Sequence, residues 1–162
     1  MFRVGLGFDT HKLCKEREFI LGGVSIPHIY GCEGHSDADV LIHAICDAIL
    51  GASNMRDIGY HFPDTDPAFK NINSAILLQE VLRMITEKQW KIENIDCTVV
   101  AQQPKLSPYI AQMQQTLAKL LLLDEDRISI KAKTSEKLGF IGREEGISAY
   151  SIVLLTKEEQ KL

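Results

Sequence analysis

Residues 37–52 constrain the fold more than any other stretch of the chain. Leu41, Ala44, Ile45, Ala48 and Ile49 recur at helical spacing, which predicts a helix over Asp37–Ala52 with an apolar stripe turned to a core. Ser36 is the expected N-cap, with Asp39 three residues on as a weak capping-box partner. On the opposite face stand Asp39, His43 and Asp47, spaced by four. A helix needs one polar face in any case, but His and Asp are unusual choices where Lys, Glu or Gln would serve.

Strand-like segments surround this helix. Phe2–Lys12 alternates, with Val4, Leu6 and Phe8 sharing one face. Phe19–Leu21 and Val24–Ile26 flank a Gly22-Gly23 turn. Asn54–Phe69 is polar and reads as a loop, followed by a helix over Ser74–Gln89 and a strand over Ile95–Ala101. A third helix starts with Ser107 as N-cap and Pro108 at its first position. Arg127–Thr134 alternates, Gly139–Gly142 is a turn, and Gly146–Thr156 is a final strand. Strands interleaved with helices predict an α/β (mixed α+β) domain. Short strand pairs at both ends predict a mixed sheet, a single layer covered by helices on one side.

The 162 residues, 45% apolar and 25% charged, suit one globular domain over 1–162. A net charge of −4 without a basic run excludes a nucleic-acid footprint. The longest apolar runs, such as Leu120–Leu123, fall far below the ~20 residues that span a bilayer, and no signal peptide is visible. The expected location is the cytoplasm, or a plastid if a transit peptide has been removed. Cys14, Cys32, Cys46 and Cys97 form no C-x-x-C pair and are expected as reduced, mostly buried thiols.

Five segments carry residues suited to chemistry. Asp9 and His11 lie two apart on a strand and so point to one face. With His43 they would make a two-histidine, one-carboxylate site with an open fourth position, the catalytic pattern for zinc. Asp39 and Asp47 are then candidates to orient His43. His35 and Ser36 sit at the helix start, where anions bind well. The loop Asp57–Pro67 holds Asp64 and Asp66 around Thr65 and suits polyol or ribose hydroxyls, or simply Asx turns. Ala101–Ser107 joins a strand to a helix start, and Lys105 there can meet a phosphate. Thr134-Ser135-Glu136, followed by Gly139–Arg143, suits phosphate plus magnesium. Gly5-Leu6-Gly7 lacks the third glycine and the following helix of a dinucleotide fingerprint.

Taken in order, Asp9-x-His11, the run His35–Ala52, Phe62–Asp66, Ala101–Leu106 and Thr134–Ile147 resemble the 2-C-methyl-D-erythritol 2,4-cyclodiphosphate synthase family of the non-mevalonate isoprenoid pathway. The resemblance covers Phe2 to about Thr156. It implies a homotrimer whose sheets line a central prism, with active sites between neighbouring subunits. It implies a lyase that converts 4-diphosphocytidyl-2-C-methyl-D-erythritol 2-phosphate to the 2,4-cyclodiphosphate with release of CMP. Asp9, His11 and His43 match the zinc ligands, and Glu136 matches the protein ligand of a second metal, magnesium or manganese. His35 and Thr134 match residues that stabilise the transition state. Asp57, Ile58 and Gly59, with Phe62, Pro63, Asp64, Thr65 and Asp66, match the loop on the methylerythritol end. Ala101, Gln102, Gln103, Pro104, Lys105, Leu106 and Ser107, together with Thr134, Ser135 and Glu136, match the cytidine and diphosphate contacts. Phe140 and Arg143 match residues lining an axial cavity that can hold an isoprenoid diphosphate.

Two positions depart from the pattern. Lys133 stands where members often carry a small hydroxyl residue, and Ala38 replaces a frequent glycine, which a helix start should tolerate. Two other functions fit the same residues: a zinc-dependent phosphohydrolase, which would release inorganic phosphate, and a non-catalytic trimeric module that binds a nucleotide or an isoprenoid diphosphate.

Overall fold

The computed structural model describes residues 1–158. Its first strand, β1 (Phe2–Lys15), runs longer than the alternation predicted and forms the spine of the domain. A hairpin follows, β2 (Phe19–Leu21) and β3 (Val24–Ile26), then the short β4 (Tyr30–Cys32). Helix α1 spans Val40–Ala52, the single turn α2 Ile58–His61, and α3 Ser74–Glu87. Strand β5 (Lys91–Val100), helix α4 (Ile110–Leu121), strand β6 (Ile128–Lys133), the turn α5 (Gly139–Gly142) and strand β7 (Gly146–Thr156) complete the described chain.

The main sheet is mixed, as expected. Its order is β4-β1-β7-β5-β6, with only β5 and β6 parallel. Register places Asp9 beside Ala149 and His11 beside Ile147, at the end of the β1–β7 ladder. Helix α1 lies across β1 and β7, with α3 packed on α1 and α4 on β6.

The face of β1 that meets α1 carries Gly5 and Gly7, not the apolar residues. A β-carbon on Gly5 would lie 1.9 Å from the Ala48 carbonyl oxygen, and one on Gly7 1.9 Å from that of Ala44. Helix and strand backbones therefore touch directly, which only glycine permits. Val4, Leu6 and Phe8 do share a face, but it is the outer one, where they are 68%, 67% and 50% exposed. Tyr150 and Ile152 of β7 stand opposite Phe8 and Leu6 and are also exposed.

The start of α1 differs from the sequence expectation. Asp39, not Ser36, caps the helix, its Oδ1 accepting the Ile42 N–H at 3.0 Å. The same carboxylate accepts the Gly22 and Gly23 N–H groups at 2.9 and 2.7 Å, so it also holds the β2–β3 turn. Both glycines have positive φ, as a two-residue hairpin loop requires. Full burial raises the Asp39 pKa even against these three backbone donors. Ala38 precedes the helix and has φ of 58°, a left-handed conformation that costs a non-glycine residue about 1–2 kcal/mol. The easy tolerance expected at 38 therefore does not hold.

Ser107 caps nothing: Ser107–Tyr109 is a 3₁₀ turn that leads into α4. Asn54–Phe69 contains two helical turns, α2 and Pro67–Phe69, capped by Asp57 and Asp66. The four thiols are free, and burial pushes the Cys32 and Cys97 pKa values up to about 12.

The backbone contact makes a paired prediction. Gly7→Ala should lower unfolding free energy by about 2–3 kcal/mol or more, because α1 must move away from β1. Gly51→Ala, where a β-carbon meets nothing within 4 Å, should instead stabilise by about 0.5–1 kcal/mol. Urea denaturation midpoints of the two variants would measure both.

Candidate metal centre and a second cleft

Strand β1 and helix α1 bring three side chains together. Asp9 and His11 alternate onto the inner face of β1, and His43 descends from the first turn of α1. Asp9 Oδ2 lies 2.9 Å from His11 Nε2 and 3.0 Å from His43 Nδ1, and the two nitrogens are 3.0 Å apart. The ligand atoms of Asp9, His11 and His43 all lie within 4.8 Å of one another. The side chains are 27%, 16% and 12% exposed, so the cluster is shielded but open on one side.

The outer nitrogen of each imidazole has its own partner. His11 Nδ1 is 2.9 Å from the Glu33 carbonyl oxygen. A carbonyl only accepts, so Nδ1 carries a proton and Nε2 is left with its lone pair toward Asp9. His43 Nε2 lies 2.9 Å from Ser74 Oγ and 3.1 Å from Ser36 Oγ. Burial alone would raise the Asp9 pKa. Its hydrogen bonds and charge interactions with His11 and His43 outweigh burial and hold the carboxyl well below the usual carboxylate range. Burial lowers His11 in turn, and the bond to Asp9 more than reverses that.

This donor set fits a divalent cation. Two imidazoles and one carboxylate match a catalytic zinc site with an open position. Separations near 3.0 Å lie a few tenths of an ångström below the ~3.3 Å expected between tetrahedral ligands at zinc bond lengths. An acceptor carboxylate facing an imidazole lone pair also needs a cation between them, a metal ion or a proton.

The open side faces a cleft of about 240 Å³. His35, Ser36, Ile58, Gly59, Phe62 and Asp64 line it with the triad, joined by Gly34, Phe69, Ile72 and Leu77, which sequence reasoning did not single out. Arg17 holds this wall, donating to the Gly34 and Ser36 carbonyl oxygens at 3.1 Å each. Asp57 and Asp66 cap local turns; Pro63, Thr65 and Asp66 belong to the same loop without lining the cleft. Asp39 and Asp47 do not orient His43. Asp39 caps α1, and Asp47 accepts the Ile58 N–H at 2.7 Å, tying α2 to α1.

A second cleft of about 430 Å³ lies at the C-terminal ends of β5 and β6. Ala101, Gln102, Gln103, Pro104, Lys105, Leu106 and Ser107 form one wall, with Ala132, Lys133 and Thr134 on the other. Beside it Thr134 Oγ1 donates to Glu136 at 2.7 Å, Ser135 Oγ to the Leu138 carbonyl at 2.8 Å, and the Lys137 N–H to Gln102 at 3.1 Å. Glu136 is exposed and stands outside the Asp9–His11–His43 cluster. Phe140 rests against Gly146, and Arg143 pairs with Glu145 at 2.9 Å. The two clefts share no residue.

Fold and site together define a mixed α/β domain with an open cluster of two histidines and one aspartate that could hold a divalent metal. A model of the YgbB family matches residues 2–156, and the chain belongs to that family. It is 60% identical over 157 residues to the 2-C-methyl-D-erythritol 2,4-cyclodiphosphate synthase of Phocaeicola vulgatus, covering 97% of this chain and 98% of that one. The synthase of Parabacteroides distasonis is 59% identical over 155 residues, covering 96% of each chain. Among solved structures, the bifunctional IspDF of Campylobacter jejuni is 46% identical with a TM-score of 0.94, over 98% of this chain and 43% of that one. Plasmodium falciparum IspF in complex with CDP is 38% identical with a TM-score of 0.86, over 98% of this chain and 97% of that one.

Removing the charge but not the shape of Asp9 should uncouple the metal from the fold. Asp9→Asn should retain the wild-type melting profile. Its zinc affinity should fall by more than the roughly 10–100-fold typical of outer-sphere partners. In the wild type, zinc competes with the proton on His11, whose pKa is raised above 6.5. Affinity should therefore climb as pH rises through and beyond that value, which zinc titrations at several pH values would show.

Proposed function

We propose that this chain converts 4-diphosphocytidyl-2-C-methyl-D-erythritol 2-phosphate to 2-C-methyl-D-erythritol 2,4-cyclodiphosphate, releasing CMP, as a lyase of isoprenoid precursor synthesis. The observation that carries this reading is the Asp9–His11–His43 cluster opening on a cleft, in a chain about 60% identical to synthases of that name. The domain spans 1–162 in this reading, of which 159–162 lie outside the described residues.

The proposed nucleophile is an oxygen of the substrate 2-phosphate. It attacks the β-phosphorus, the bond from that phosphorus to the oxygen bridging it to the α-phosphorus breaks, and CMP leaves with that oxygen. The nucleophile is already an anion, so the chain supplies no general base. Its task is to bring two anions together and hold them in line, and ring closure on one bound molecule gains from proximity. Asp9, His11 and His43 would hold zinc and Glu136 magnesium or manganese, which neutralise phosphate oxygens and stabilise the departing CMP as Lewis acids.

The remaining roles fall to side chains and backbone. Asp57, Ile58 and Gly59 and the segment Phe62–Asp66 hold the methylerythritol hydroxyls. His35 and Thr134 stabilise charge developing on the phosphates. Ala101–Leu106 reads cytosine through backbone groups, and Lys105, Ser107, Lys133 and Ser135 stand near the diphosphate. The CDP bound to the Plasmodium falciparum relative supports a cytidine nucleotide as ligand here.

One chain offers the metal cluster in one cleft and the proposed cytidine loops in another. The reading therefore includes a homotrimer in which the first cleft of one copy meets the second cleft of the next. The exposed Val4, Leu6, Phe8, Tyr150 and Ile152 support it, since a monomer seldom leaves such a patch in water. A head-to-tail interface repeated by a three-fold rotation closes into a ring. Phe140 and Arg143 would then line its axis, where an isoprenoid diphosphate could bind. A cytoplasmic location completes the proposal; no helix among the described residues is long and apolar enough to cross a membrane.

A ³¹P NMR time course with the substrate, zinc and magnesium tests the activity. Stoichiometric CMP with the paired signals of a cyclic diphosphate is expected, and His43→Ala should abolish it. Inorganic phosphate instead would indicate a hydrolase, and an unchanged spectrum a binding module. Co-expression tests the shared site. Asp9→Ala and Glu136→Ala chains, each inactive alone, should regain about a quarter of wild-type activity when mixed equally in trimers, because a site is intact only when both contributing copies are. Sites built within single chains would regain none.

A further inference from the structure

We propose that Ser74, backed by Asp37, is a positioning residue for His43 that fixes which ring nitrogen carries the proton, leaving Nδ1 free to bind the metal. The inference rests on the metal reading of the triad and goes beyond it to residues outside the ligand set. Ser74 begins α3 and is fully buried. Its hydroxyl contacts His43 Nε2 at 2.9 Å on one side and Asp37 Oδ1 on the other. The Ser74 backbone N–H donates to Asp37 Oδ2 at 3.0 Å, so the carboxylate grips both groups of one residue.

The direction of this relay follows from what each group can do. A hydroxyl has one proton, and an ionised carboxylate only accepts. The Ser74 proton therefore goes to Asp37, a charge-assisted bond stronger than one to a neutral ring. What remains for His43 is a lone pair, so Nε2 must carry the imidazole proton. Ser36 Oγ is the more distant neighbour of Nε2, at 3.1 Å; it accepts the Ala38 N–H, and its own proton has Ser74 Oγ, 3.5 Å away, as an acceptor. With Nε2 protonated, His43 Nδ1 presents a lone pair toward Asp9. His11 Nε2 does the same because Glu33 takes its other proton. Three acceptors then converge within 3.0 Å of one another, an arrangement that needs a shared cation, a metal ion or a proton, among them.

Asp37 also ties this relay to the cleft wall. Its backbone N–H donates to the Ile72 carbonyl at 3.1 Å, and the Asn71 N–H to the His35 carbonyl at 2.7 Å. The segment that carries α2 and Asp64 is thus fastened next to the group that orients His43.

The test uses metal-free wild type, Ser74→Ala and Asp37→Asn, with cobalt(II) as a visible probe and zinc by competition. Asparagine at 37 keeps the shape but turns one oxygen into a donor. With its oxygen on the Ser74 N–H, its amide faces the Ser74 hydroxyl, which then donates to His43 and reverses the relay. Both variants should bind cobalt and zinc about 10–100-fold more weakly while melting as cooperatively as wild type. Long-range ¹H–¹⁵N spectra, taken above the imidazole titration, should show His43 as a single Nε2–H tautomer in the wild type and lose that signature in both variants. Unchanged affinity and an unchanged tautomer in both would overturn the proposal, as would an Nδ1–H tautomer in the wild type. A wild type that binds neither metal would overturn the metal reading, while its His43 tautomer would separately report whether the relay exists.

Discussion

The contact between α1 and β1 sets the geometry on which everything else depends. Gly5 and Gly7 leave no side chain between strand and helix, and Ala44, Ala48 and Ala52 stack against them at intervals of one turn. The inward face of β1 continues past the glycines with Asp9 and His11. The helix that rests on Gly7 therefore carries His43 to within 3.0 Å of both. An imidazole is short, and metal bonds tolerate only about 0.2 Å. A methyl at position 7 would displace α1 by several times that. Close packing here is a condition of the triad's geometry as well as of stability.

Three aspartates in and just before α1 look alike in sequence and act differently in space. Asp39 is fully buried and receives three backbone N–H bonds, joining the helix start to the β2–β3 turn. Asp47 is half-buried and anchors α2. Asp37 holds the start of α3 through Ser74. A buried carboxylate is costly unless donors surround it. Each of the three therefore settles where backbone N–H groups are free, at a turn or a helix start. None of them is left to bond His43 directly. That task falls to hydroxyls, which can accept from a ring and donate to a carboxylate at once.

Periodicity made the architecture legible. The glycine hairpin, the four longer strands of the mixed sheet and the three long helices follow from spacing, whereas the short β4 does not, and Asp9-x-His11 with His43 was readable as a two-histidine, one-carboxylate set. Two kinds of feature were not. Ser74 lies 37 residues from Asp37 and 31 from His43, so no local spacing links them. The capping choice between Ser36 and Asp39 turned on a third partner, the Gly22-Gly23 turn, which propensity rules do not see. Ala38 misled for a related reason: the cap's shift of three residues, from 36 to 39, moved it from the helix into a left-handed bend.

The outer face of β1 gave the most instructive difference. Alternation showed that Val4, Leu6 and Phe8 share a face, and apolar residues ordinarily face inward. In this strand the inward positions belong to glycine, aspartate and histidine. The apolar set is left outside, beside Tyr150 and Ile152. A strand can afford both faces only if something covers the second one. The proposed trimer does so with further copies of the same sheet. It thereby brings the metal cleft of one copy against the Ala101–Ser107 and Thr134–Glu136 loops of another. Strand β1 then serves assembly on one face and metal binding on the other, on alternate residues. A chain unable to assemble would lose the second half of its site even with Asp9, His11 and His43 in place.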